Sequence, residues 1–229
     1  MLRPKTSRVF RRCLLLSFAL AGKASCSDNE PTSVETQAGG AGSNPSAADI
    51  HESSLVLDAH ADIVIPSTSR AYMSADGTSK VDPAKMRAGG VDAVVMSVAV
   101  GPGPRTMEGD AAARAEADEK IAAVHTLVEE SQGQVVIATT SSEIVAAHEA
   151  GKSALILGFQ NARSLQGNVS AIDEFYAEGV RIFGLNHLGH NAFSDSSRPE
   201  FSGETGAFEV TEEHGGLSTL GVAAVERIG

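Results

Sequence analysis

The sequence predicts an α/β fold built on a parallel sheet, and three observations carry that expectation. From Ile50 onward, apolar runs of strand length alternate with stretches of helical periodicity. Those runs are near-continuously apolar, as in strands covered on both faces, rather than alternating between core and solvent. The chain is also long enough, at 229 residues with 42% hydrophobic and 21% charged residues, to bury a sizeable core. Helical crossovers between parallel strands are nearly always right-handed and cover both faces, so a closed barrel and an open sheet both satisfy the pattern.

Taken in order, residues 55–57 read as the first strand and residues 91–100 as the second. Ile121, Val124, Leu127 and Val128 recur at helical spacing among charged neighbours, which places a helix before the third strand. Gly133 follows, then the β-rich residues 135–138. Thr140 with Glu143 three positions later has the form of a capping box opening a helix that Gly151 ends. Residues 154–159 make a fourth strand, and a helix over residues 170–178 leads through Gly179 into a fifth, residues 180–186. Residues 217–229 read as an amphipathic helix. A (β/α) barrel closes with eight strands in about 250 residues. Residues 50–229 supply five, so a barrel would stop early.

Composition narrows the function classes. Lys plus Arg total 18 against 29 Asp plus Glu, a formal charge of −11. Such a surface repels a phosphate backbone, which excludes a nucleic-acid partner held by phosphate contacts. No apolar stretch reaches eighteen residues, so a conventional membrane-spanning helix is excluded too. Arg3, Lys5, Arg8, Arg11 and Arg12 precede a short apolar run at residues 13–21, which marks residues 1–25 as an export signal. Those residues carry six Lys/Arg and no Asp/Glu, leaving −17 for residues 26–229.

Cys13 lies inside the signal and Cys26 just beyond it, so the mature chain holds at most one thiol and no internal disulfide. Ala24-Ser25-Cys26 resembles the site of the lipid-modified Cys in bacterial lipoproteins, although Lys23 stands where that pattern has an apolar residue. Cleavage after Ala19-Leu20-Ala21 would instead release a soluble protein. Both readings place the protein outside the cytoplasm, periplasmic or extracellular, and the first tethers it to a membrane through Cys26. Residues 26–49 are mostly Ser, Gly, Ala, Asn, Pro, Thr and Glu with Val34 their only large aliphatic residue, a linker that cannot form a core. Its mean reach as a random coil is about 25 Å. Residues 50–229 form the folded domain.

Three segments carry chemistry. Asp58-Ala59-His60-Ala61-Asp62 follows the first predicted strand, and residues two apart on a strand face one side, so His60 and Asp62 project together from its C-terminal end. An imidazole and a carboxylate there suit a zinc-type metal; the alternative is a solvated polar loop. Asn186-His187-Leu188-Gly189-His190 follows the fifth predicted strand, at the rim where α/β folds carry their sites. His187 there is suited to polarise a substrate carbonyl or stabilise the oxyanion formed when water attacks it. His190 reads as a surface or supporting residue. Gln160 ends the fourth strand at the same rim, either facing the site or satisfying loop backbone groups.

Together these segments resemble the membrane dipeptidase (renal dipeptidase) family of zinc peptidases over residues 55–229. The resemblance implies a (β/α)8 TIM-barrel fold with a binuclear metal site, hydrolysing the peptide bond of dipeptides with water activated at the metal. His60 and Asp62 match the family's opening His-x-Asp, its first-strand metal ligands. The run from Asp82-Pro83-Ala84 to Gly90-Val91 is similar to the stretch ahead of the family's second strand. Leu185-Asn186-His187 and Phe193-Ser194-Asp195 match its Leu-Thr-His and Trp-Ala-Asp-like elements, which makes His187 the substrate-contacting, catalytic histidine and Asp195 a substrate-binding residue. Gly215-Gly216-Leu217-Ser218 is similar to the start of the helix preceding the next metal-ligand strand.

Two departures modify these expectations. Gln160 stands where the family has a glutamate that bridges two metals, and a neutral amide with one acceptor oxygen cannot bridge in that way, which favours one zinc over two. The family's remaining ligands lie beyond the equivalent of Gly229, so the expected barrel is truncated after about five strands and this chain shows little or no peptidase activity. A half-closed sheet would also expose apolar faces and a strand edge, so self-association is expected, a homodimer being its simplest form. The alternatives are a non-catalytic exported lipoprotein that binds peptides or metal, and a related metal-dependent amidohydrolase.

Overall fold

The computed structural model describes residues 44–198 and 212–229, in which five segments pair as one parallel sheet. They are β1 (Leu57–Asp62), β2 (Ala93–Ala99), β3 (Val135–Ile137), β4 (Ser153–Gln160) and β5 (Val180–Gly184). Strand β2 pairs with β4 along its whole length, from Ala93 opposite Ala154 to Ala99 opposite Gln160, and so occupies one edge of β4 completely. The other edge is shared: β3 lies opposite Ser153 to Leu155, and β5 opposite Leu157 to Gln160. All five expected strands are present, but only β1, β2, β4 and β5 stand side by side at the C-terminal rim.

The two faces of the sheet differ. Val94, Met96 and Val98 of β2 and Leu155, Leu157 and Phe159 of β4 share one buried cluster with helices α3 (Met107–Glu130) and α5 (Ala171–Ala177). In α3 the buried positions Ala113, Ala117, Lys120, Ile121 and Val124 form one stripe at helical spacing. From α5, Phe175 meets Phe159 edge to face at 5.0 Å between ring centroids. On the opposite face, Ala93, Val95, Ala154 and Ile156 pack with Ile144 and Ala147 of α4 (Ser141–Glu149) at the strands' N-terminal end. Leu57 and Ile182, in register with Ala93 and Gly158, share that face and remain 43% and 47% exposed.

Local signals account for the helix ends. Thr140 caps α4 and Glu143 returns the bond in the expected capping box. Helix α2 (Pro83–Gly89) is capped by Asp82, carries Pro at its first turn and ends on Gly90 at φ 63°. Helix α6 (Thr219–Ile228) is capped by Ser218, and its Gly221 lies so close to Phe193 that a Cβ would sit 2.0 Å from the carbonyl oxygen.

Several boundaries differ from expectation. The first strand begins at Leu57, not Leu55, and runs on through Asp62, so it contains the His-x-Asp pair instead of preceding it. Its end faces a cavity rather than the core, so no apolar pattern marks it. Helix α1 (Ala47–Ser53) lies partly within the expected linker, formed by a Ser46–Asp49 capping box, and buries none of its residues. The α3 helix extends well to either side of its apolar positions, because Thr106 caps it and acidic residues fill its first turn. The expected export signal at residues 1–25, Cys26 and most of the linker lie outside the described residues.

Candidate active site at the C-terminal rim

The rim is assembled from strand ends. Asp62 of β1 is in register with Ser97 of β2, and the Ser97 hydroxyl donates to Gln160 Oε1 of β4 at 3.2 Å. Asp62, Ser97 and Gln160 therefore share one face, opposite the α3 and α5 layer. A register shift between Asp58 and Ala61 kinks β1, and the His60 backbone N–H donates to Asp58 Oδ1 at 3.0 Å. On the far side Gln160 is in register with Gly184, the last residue of β5, and His187 follows on the next loop.

His60, Asp62, Gln160 and His187 all line one cavity of about 450 Å³, within the size range of small-molecule sites. Glu116 and Lys120 of α3 line the same cavity, and sequence reading had assigned them nothing. The available signal was Lys120's place in the buried stripe of α3, where an aliphatic residue belongs. A larger groove of about 770 Å³ lies along the outer surfaces of α3 and α5, but it is walled by ion pairs of Arg114 with Asp118 and Glu174 and is remote from the strand ends.

A buried amide pair welds the rim. Asn161, 1% exposed and at φ 76°, donates through Nδ2 to the Val100 carbonyl at 3.2 Å. Its Oδ1 accepts from Asn191 Nδ2 at 3.1 Å, and Asn191 also donates to the Leu185 carbonyl at 2.8 Å. Asn191 Oδ1 accepts from the Phe193 and Ser194 backbone N–H groups. The loops after β2, β4 and β5 are thus tied through two side chains, which holds Gln160 and the start of the His187 loop in place.

Asp195 does not join the site. Its carboxylate accepts backbone N–H groups of Glu213, His214 and Gly216, pinning that segment, and it is not among the residues lining the cavity. Burial works to raise its pKa, but those bonds and nearby His190 lower it to about 2. His190 is buried rather than superficial, 6% exposed, with Nδ1 accepting from the Ser196 N–H and lying 3.3 Å from Asp195.

An imidazole, a carboxylate and an amide oxygen with a second lone pair form a nitrogen and oxygen donor set that fits one divalent ion such as zinc. Among the described residues no third His, Cys, Asp or Glu joins them. The donors that the described residues supply are one strong donor short of the three protein ligands of a hydrolytic zinc centre.

A parallel α/β sheet with its polar groups at the strands' C-terminal ends is the arrangement of barrel-type enzymes. Residues 45–228 match the model of the membrane dipeptidase family, peptidase family M19, and the chain belongs to that family. The dipeptidase verJ of Clonostachys rogersoniana is 28% identical over 110 residues, 48% of this chain and 26% of that protein. The crystal structure of the probable dipeptidase PvdM from Pseudomonas aeruginosa matches with a TM-score of 0.64 at 28% identity, over 79% of this chain and 45% of that one. A metallo peptidase from Rhodobacter sphaeroides, solved with a phosphinate mimic of the dipeptide L-Ala-D-Ala, shares the fold with a TM-score of 0.52 at 17% identity, over 75% and 55% of the two chains. This chain thus spans about half the length of the solved structures it matches, and its α/β, barrel-like fold is the one expected.

Proposed function

We propose that this chain contributes to metal-dependent hydrolysis of the peptide bond of dipeptides. The observation that carries the reading is the convergence of His60, Asp62, Gln160 and His187 on one rim cavity. His60, Asp62 and the Gln160 amide oxygen would hold a single zinc ion, which supplies Lewis acidity toward a scissile carbonyl and its attacking water. The Ser97 hydroxyl fixes the orientation of the Gln160 amide. His187, exposed on the loop after β5, would donate a hydrogen bond to the oxyanion that develops on the carbonyl. The strand ends orient the substrate because the Asn161–Asn191 pair keeps their loops from moving independently. The reading includes export from the cytoplasm by residues 1–25, with Cys26 as a candidate membrane tether.

Calorimetric titration of the purified chain with zinc, followed by L-Ala-D-Ala, tests this. We expect one weak zinc site, lost in His60→Ala and in Asp62→Ala, and dipeptide binding that depends on zinc. Gln160→Glu adds a negative charge and should tighten zinc at least about tenfold, since one charged donor is worth more than about 1.4 kcal/mol. Turnover is expected to be low because the donor set is incomplete. Zinc bound elsewhere and no dipeptide binding would overturn the reading. Zinc-dependent binding without turnover, even in Gln160→Glu, would favour the second one, a peptide- or metal-binding lipoprotein, to which the neutral Gln160 points.

A further inference from the structure

We propose a second small-molecule site, a crevice on the α3 side of the sheet that takes an apolar primary amine as its ammonium ion; the assignment does not depend on the dipeptide reading. Helix α2 has seven residues against 24 in α3, so about 10 Å of helix stands beside about 36 Å. The shorter helix leaves a cavity of about 340 Å³ between α3, the segment leading into α2 and the end of β1, at the small end of the range for small-molecule sites. Ile63, Met96 and Val124, all buried, line it together with the half-buried Leu127. Covering an alkyl chain against these side chains is the source of affinity.

Charge decides the rest of the ligand. Asp82 and Glu130 line the same crevice, and no Lys or Arg does so among the described residues. One Asp82 oxygen accepts the Lys85 backbone N–H at 3.0 Å to cap α2, which leaves the carboxylate without a counter-ion. Glu130 enters no ion pair among the described residues. It also ends α3, whose last turn holds no basic residue, and the negative end of a helix dipole disfavours an anion there. The Lys85 ammonium lies against Thr78 and the Ser79 carbonyl at the crevice wall, but Asp76 neutralises it at 3.0 Å. Two carboxylates without a counter-ion thus border an apolar space, which attracts a cation with an alkyl body and repels a carboxylate. Amino acids and dipeptides, which carry a carboxylate of their own, meet this demand less well than a simple amine. Ile63 directly follows Asp62 and lines both the crevice and the rim cavity, so the two spaces share a wall.

Methyl-detected NMR titration of the full chain with hexylamine, hexanol and hexanoate, without added zinc, tests the assignment. Hexylamine should shift the Met96, Val124 and Leu127 methyl signals and bind about fivefold more tightly than hexanol, the preference expected of two partly exposed ion pairs. Hexanoate should bind more weakly than either. Asp82→Asn combined with Glu130→Gln removes both charges and keeps an α2 cap, so it should erase the preference for the amine while hexanol binding stays unchanged. Ala123→Phe, which fills the crevice, should abolish binding of both; if it fails to fold, the charge variant decides alone. An amine preference that survives the double substitution overturns the proposal, as does a native chain whose crevice methyl signals respond to none of the three probes. Hexylamine binding that persists in Ala123→Phe and is lost in Asp62→Ala places the amine in the rim cavity and overturns it too.

Discussion

The most consequential single residue is Gln160, because the rest of the rim is arranged around its amide. Ser97 bonds its oxygen, Ala99 and Gly184 flank it on neighbouring strands, and Asn161 fixes the chain immediately after it. Asp195 shows how a residue with the right type and neighbourhood is used elsewhere. With a folded pKa of about 2 and an unfolded value near 3.9, its carboxylate favours the folded state fully above pH 4. That contribution disappears as the pH falls from about 4 to about 2. Melting temperatures of the native chain and Asp195→Asn should therefore differ at pH 7 and converge by pH 2; a gap that persists unchanged at pH 2 would show that the carboxylate's charge is not what pins residues 213–216.

Helices α2 and α3 offer opposite responses to the same substitution. Gly109, in the first turn of α3, faces the Pro104 carbonyl so closely that a Cβ would sit 2.1 Å from its oxygen. Gly89, at the end of α2, has nothing within 4 Å. Alanine should gain up to about 1 kcal/mol at Gly89 through helix propensity alone. At Gly109 the same gain is outweighed by displacement of the loop before α3, and a net loss of about 2 kcal/mol or more is expected. Urea unfolding of the two variants checks both signs. Gly109 matters beyond stability, since Arg163 reaches the Gly101 and Pro104 carbonyls beside it and lies 3.4 Å from Asp110 of α3, which ties that helix and the loop before it to the segment after β4.

For the molecule as a whole, the unequal sheet faces set the solution behaviour. One face is sealed by α3 and α5; the other is covered by α4 at its base and leaves Leu57 and Ile182 half-exposed. Exposed apolar side chains on a sheet face promote association. Sedimentation velocity across a dilution series should show a concentration-dependent assembly, weakened by Ile182→Lys. A monomer at every concentration would show that the net charge of −11 suffices to keep the faces apart.

The apolar runs, the capping box at Thr140 and the presence of His60 and Asp62 at one strand end were legible from the chain alone, because strand runs and helix capping depend on residues a few positions apart. Gln160 and His187 were legible as rim residues, each following an apolar strand into polar sequence, but only the family resemblance gave them roles. The extension of β1 through its polar end, the halting of β3 below the rim and the withdrawal of Asp195 were not. Each depends on a partner distant in the chain: Ser97 beside Asp62, β5 beyond β3 on the same edge of β4, and the 213–216 backbone against the Asp195 carboxylate. Lys120 is the sharpest case. Its helix reads as an outer layer, and only the packing of α3 across the end of β2 carries an ammonium from that layer into the cavity. Local periodicity specifies which way a side chain leaves its own element, whereas what it meets there is set by crossovers that bring remote segments together.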